Sequence, residues 1–90
     1  MSGGTFEYKQ FRIIEIVNEI ENAIYNNERA EYPYSEETIT MLKYGIKYLS
    51  VAHIYAHRID YLLAGDDGEE SFHKRLASDL EKLSDETIWA

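Results

Sequence analysis

Cysteine is absent from the chain. That excludes disulfides, thiolate metal sites and a cysteine nucleophile, and it leaves the redox compartment open. Long apolar runs are missing too. None approaches the roughly 18 residues needed to cross a bilayer, and the N-terminus has neither the basic flank nor the apolar core of a secretory signal. A soluble, cytoplasmic protein without membrane contact is the expectation. Positive charge is scarce, with 9 Lys and Arg against 17 Asp and Glu and a formal charge of −8. Generic nucleic-acid binding needs a basic face that displaces counterions, so direct binding to nucleic acid is not expected. Acidity keeps a small protein soluble, and it also suits a basic partner or mimicry of a nucleic acid. Neither a G-x-S-x-G nucleophile turn nor a phosphate loop occurs. Ser2-Gly3-Gly4 is too short and too terminal to cradle a phosphate. The leading expectation is therefore a protein that is not an enzyme and needs neither cofactor nor metal.

What is present is helical patterning. At 90 residues the chain makes one domain, residues 1–90. Its core is modest and near the lower limit for folding alone, so self-association would help it. Ile13, Val17, Ile20 and Ile24 recur on one face and predict a first helix over about 8–26. Glu28 to Tyr34, holding the only proline, Pro33, reads as a connecting loop. Ser35 is a good N-cap, with Glu36 and Glu37 in the turn where the helix dipole favours negative charge. Tyr34 and Ile39 fit a hydrophobic staple. The second helix then runs over about 35–64, with Gly65 as a left-handed C-terminal cap. It is apolar on two faces. Leu42, Ile46, Leu49, Ala56, Ile59 and Leu63 form one, and Tyr44, Tyr48, Val51, Tyr55 and Leu62 form the other.

Asp66 or Asp67, with Glu69 or Glu70 three residues on, fits a capping box. Phe72, Leu76, Leu80 and Leu83 form the stripe of a third helix over about 67–83. The expected fold is all-α, three helices with the second central. Charge agrees: residues 35–65 carry three basic and three acidic groups, whereas 66–90 carry three basic and eight acidic ones. Two shorter helices cannot cover both faces of the long one, so a homo-oligomer is expected.

His53, His57 and Asp60 stand at i, i+4 and i+7 on one side of the second helix, where two histidines can share a divalent ion. His73 could add a fourth ligand. No glutamate follows the first histidine as in a metalloprotease helix, and packing between helices explains the histidines as well. A metal-dependent enzyme stays as an alternative. Asp66-Asp67-Gly68-Glu69-Glu70 has the composition of a calcium loop without its alternation. Asp60 lies almost on the core face, where a carboxylate must be paired or hydrogen-bonded; Arg58, Arg12, Lys9 or a tyrosine hydroxyl are candidate partners. Eight tyrosines offer apolar bodies with one polar tip, suited to interfaces and to stacking. Tyr8, Lys9, Arg12, Tyr55, Arg58 and Tyr61 combine aromatic faces with cations, which suits a nucleotide-like ligand. Packing alone also accounts for the tyrosines.

Two segments carry a resemblance. Ser2-Gly3-Gly4-Thr5-Phe6-Glu7-Tyr8-Lys9-Gln10-Phe11 and the stretch from Arg58-Ile59-Asp60 through Gly65-Asp66-Asp67-Gly68-Glu69-Glu70-Ser71-Phe72 together resemble a family of short phage and bacterial proteins. Those proteins open with a Ser-Gly-Gly-x-Phe-Asp-Tyr-like run and carry an Arg-Ile-Asp-x-Leu…Gly-Asp-Asp-Gly-Glu-Glu-Ser-Phe run. The resemblance implies a phage-like origin, hence the cytoplasm of a bacterial host. It puts weight on Thr5, Tyr8, Lys9, Arg58, Asp60 and the corner from Asp66 to Phe72. Glu7 stands where the family has aspartate, and His57 lies outside the pattern. No catalytic assignment comes with it. Small acidic phage proteins without catalytic motifs usually act by binding, an argument by analogy. The leading expectation is an anti-defence protein that sequesters a nucleotide-type immune signal in pockets between helices or subunits. Its ligand-binding residues would be Thr5, Tyr8, Lys9, Arg12, Tyr55, Arg58, Asp60 and Tyr61. The alternative binding mode is an acidic inhibitor that occupies a host enzyme's nucleic-acid site.

Overall fold

The computed structural model describes residues 4–86, so the Ser2-Gly3 start lies outside the described residues. Three α-helices, α1 (Phe11–Tyr25), α2 (Glu36–Leu63) and α3 (Glu69–Glu86), follow one another with a 3-10 turn at Asn27–Arg29. No strand occurs among the described residues, and the fold is all-α.

α1 starts later than its apolar spacing predicts, because residues 5–10 close a series of tight turns instead. Glu7 and Tyr8 have φ of +54° and +61°, values a right-handed helix does not admit.

The ends of α2 follow local chemistry. Ser35 is extended, and its Oγ accepts the Thr38 amide at 3.2 Å, closing the N-terminus. Ahead of it, the Asn27 side chain pairs with both backbone groups of Tyr34, accepting its N–H at 2.8 Å and donating to its carbonyl at 3.2 Å. At the other end Gly65 has φ of +82°. Its N–H reaches the Leu62 carbonyl at 3.2 Å, and the Asp66 N–H reaches the Tyr61 carbonyl at 3.0 Å. These are the paired bonds of a Schellman ending.

The start of α3 differs from the expected capping box. The Ser71 hydroxyl accepts the Gly68 amide at 3.2 Å and donates to Asp67 Oδ1 at 2.9 Å. Arg75 Nη1 donates to the same oxygen at 3.0 Å. The Asp67 carboxylate thus turns along α3 toward its side chains, and the serine meets the amide at the helix start.

α1 and α3 each pack on α2 and not on each other. The molecule is a slab of 50 × 26 × 14 Å, hardly thicker than one helix of about 10–12 Å. Its radius of gyration is 15.8 Å, against roughly 12 Å for a compact chain of this length. A single layer of helices has little interior. Among the described residues the buried apolar side chains are Val17 and Ile46, and Gln10, Asp60 and Asp67 are buried beside them. The accessible surface is 6668 Å², where a folded monomer of this mass exposes about 5,400 Å². Met41, Tyr44, Tyr48 and Tyr55 form an exposed stripe on α2. Of the second apolar face predicted for α2, Tyr44, Tyr48 and Tyr55 are bare in one chain, whereas Val51 and Leu62 are half-buried.

Candidate functional site

Asp60, in the last turns of α2, is only 1% exposed. Its Oδ2 accepts the Gly4 amide at 2.9 Å and Gln10 Nε2 at 3.2 Å, and its Oδ1 accepts the Phe6 amide at 3.0 Å. Burial raises its pKa. The amides of Gly4 and Phe6, the Gln10 side chain and the Thr5 amide act the other way and prevail, so the carboxyl stays below its ordinary range. The partners weighed from sequence, Arg58, Arg12, Lys9 or a tyrosine hydroxyl, are not the ones used. The donors come from the N-terminal segment, 54 and 56 residues away for Phe6 and Gly4. The two stretches that carry the family resemblance meet here.

Gln10 is held twice. Its side chain reaches Asp60, and its carbonyl lies 3.0 Å from His53 Nδ1. A carbonyl only accepts, so that nitrogen carries the hydrogen. An aromatic cluster builds outward from this point. The Phe11 ring centre lies 5.7 Å from His53, 5.9 Å from His57 and 6.3 Å from Tyr8, nearly parallel to the last. His53 and His57 are stacked at 5.9 Å, and Tyr61 meets His57 edge-on at 4.8 Å. His57 Nδ1 is buried without a hydrogen-bond partner. Burial, then the Arg58 charge and the neighbouring His53 ring, lower the His57 pKa, while Asp79 and Asp60 pull it back only in part.

The metal reading of His53, His57 and Asp60 finds no support in this geometry. The Asp60 oxygens face N–H donors. Among the described residues no group of three His, Cys, Asp or Glu is placed to hold a metal ion.

The structure divides the eight expected ligand residues. Thr5, Tyr8 and Lys9 ride on the turn fastened to Asp60, and Tyr61 borders the same cluster. Tyr8 and Phe11 are 45% and 44% exposed, so their rings form an open platform. Lys9 makes a loose 3.8 Å pair with Glu7, both exposed, and such a pair adds little stability. Arg12 is exposed in the first turn of α1. Tyr55 faces the other way: at about 100° per residue it lies opposite His53 and Asp60, on the stripe with Tyr44 and Tyr48. Arg58 is turned to α3, where its Nε donates to Asp79 Oδ2 at 2.7 Å in a mostly buried pair. Its guanidinium also sits 5.9 Å from the Tyr61 ring centre. Sequence reasoning missed the bond of Gln10 to Asp60, that of Asp79 to Arg58, and the contact of the exposed Phe11 ring with Tyr8. The amphipathic stripe of α3 gave a signal for Asp79, since it places that residue beside the α2-facing Leu76, Leu80 and Leu83.

A separate cleft of about 570 Å³ lies between the end of α1, the loop and the start of α2, with Glu28, Glu36 and Lys43 in its lining. Two carboxylates there do not favour an anion. No helix among the described residues is long and apolar enough to cross a membrane. Comparison with known proteins gives no matching family model, no matching curated protein and no matching solved structure.

Proposed function

We propose that this chain is a non-enzymatic binding protein of phage type, acting in a bacterial host, that captures a nucleotide-type immune signal at sites completed where subunits meet. The observation that carries this reading is the Tyr8–Phe11 pair, two nearly parallel rings half open to solvent. A base stacked on such a platform removes its apolar face from water. Lys9 and Arg12, from the same stretch, supply cations for phosphates. Arg58 has its Nε committed to Asp79, which leaves the first two as the nearer source of charge. One chain offers a floor and no opposite wall. A second copy would supply that wall; the bare tyrosine stripe lies on the far side of α2, so it supports self-association of the thin slab through a different face.

Calorimetric titration against a panel of cyclic and ADP-ribose-type nucleotides tests this. At least one is expected to bind, with Tyr8→Ala weakening it about tenfold, within the roughly 1–3 kcal/mol of one base–aromatic stack. Failure of the wild-type protein to bind any of the panel sinks the reading and turns attention to an acidic inhibitor of a host enzyme.

A further inference from the structure

We infer that Asp60 is a positioning residue, the template on which residues 4–10 wind into the turn that presents Tyr8. Two consecutive non-glycine residues, Glu7 and Tyr8, hold positive φ. L-residues disfavour that region because Cβ crowds the following carbonyl. Such a conformation persists only where the surroundings fix it, and strain of this kind gathers at functional sites. The turn's own bonds are three successive tight ones: Glu7 to the Gly4 carbonyl at 3.1 Å, Lys9 to Phe6 at 3.0 Å and Phe11 to Tyr8 at 3.2 Å.

What fixes the turn from outside is chiefly one side chain, with His53 adding a single bond to the Gln10 carbonyl at its end. Asp60 takes Gly4 ahead of the strained pair, Phe6 just before it and Gln10 just after it. Backbone N–H groups that converge in this way form a concave anion cradle, and here the anion is the protein's own. The arrangement needs a charged acceptor. An ionised carboxylate has lone pairs for all three donors, whereas a neutral amide of the same shape turns an NH2 group toward one or two of them. Gln10 shows the same demand, since its Nε2 serves Asp60 while its Oε1 is buried without a partner. The platform is thus held from the end of α2, and α1 alone does not set it. The functional weight of this inference rests on the nucleotide-capture reading, but its test does not.

The test is amide hydrogen exchange by NMR on the full chain. Asp60→Asn should speed exchange at Gly4 and Phe6 at least tenfold relative to amides in the middle of α2. It should also erase the ring contact between Tyr8 and Phe11, with helical circular dichroism retained. Arg58→Ala, which loosens α3 instead, should leave that ratio unchanged. Glu7→Gly relieves the left-handed strain and should slow exchange at Phe6 about threefold or more. If Asp60→Asn melts the whole chain, Glu7→Gly decides: slower exchange at Phe6 supports the template, and unchanged exchange overturns it. Unaltered Gly4 and Phe6 protection in a folded Asp60→Asn protein also overturns it, whether or not any nucleotide binds.

Discussion

A histidine kept neutral among aromatic rings makes stability depend on pH near neutrality. The folded state lowers the His57 pKa from its ordinary 6.5, chiefly by burial. Below that value the unfolded chain takes up a proton that the folded chain resists, so the unfolded state gains. Its contribution to stability is whole above pH 6.5 and declines as pH falls from there to the lowered folded value. Asp60 is also shifted down, from 3.8. Its contribution is present above that value and is lost at more acid pH, as the folded carboxyl is protonated. Thermal melts should therefore be level above about pH 7 and fall in a first step below 6.5. In His57→Phe, which keeps an aromatic ring without the titration, that step should vanish; a persisting step would assign it to another group. The burial of Asp60 was legible in the sequence, because it interrupts an apolar face. Its partners were not. They are mainly backbone amides, which every residue has, so no side-chain type marks them.

The ends of α2 were legible because each is set by one residue's own chemistry. Ser35 has the oxygen that a helix start needs, and Gly65 tolerates the left-handed turn that a helix end needs. A Cβ added at Gly65 would meet no heavy atom within 4 Å, so the cost of a side chain there is conformational and not steric. Gly65→Val should lose roughly 1–2 kcal/mol, and Gly65→Asn should lose less. Urea melts of the two variants beside wild type measure the order, and equal stability of all three would refute the cap. The start of α1 was less legible. Phe6 and Phe11 extend its apolar face backward, and spacing of that kind carries no information about the sign of φ at Glu7 and Tyr8. Arg58 was misread for a related reason. Proximity in sequence suggested Asp60, two residues away, but helical rotation sends Arg58 toward α3 and Asp79.

A single layer of three helices leaves α2 covered by α1 and α3 and bare along Met41, Tyr44, Tyr48 and Tyr55. Their exposures run from 42% to 66%. This imbalance was foreseeable from a long helix that is apolar on two faces, and a second copy of the chain is the simplest cover for it. If so, sedimentation equilibrium should give a mass above the 10.5 kDa of one chain. The melting temperature should also rise with protein concentration, since association stabilises by mass action. Tyr48 provides the sharper test. It is 66% exposed in one chain, where replacement by glutamate should change stability by no more than about 0.5 kcal/mol. In an assembly that buries the stripe, the same change places a carboxylate without a partner in an apolar contact. Tyr48→Glu should then reduce the sedimenting mass to that of one chain and abolish the concentration dependence of melting. A variant with unchanged mass and melting would show that this stripe faces solvent.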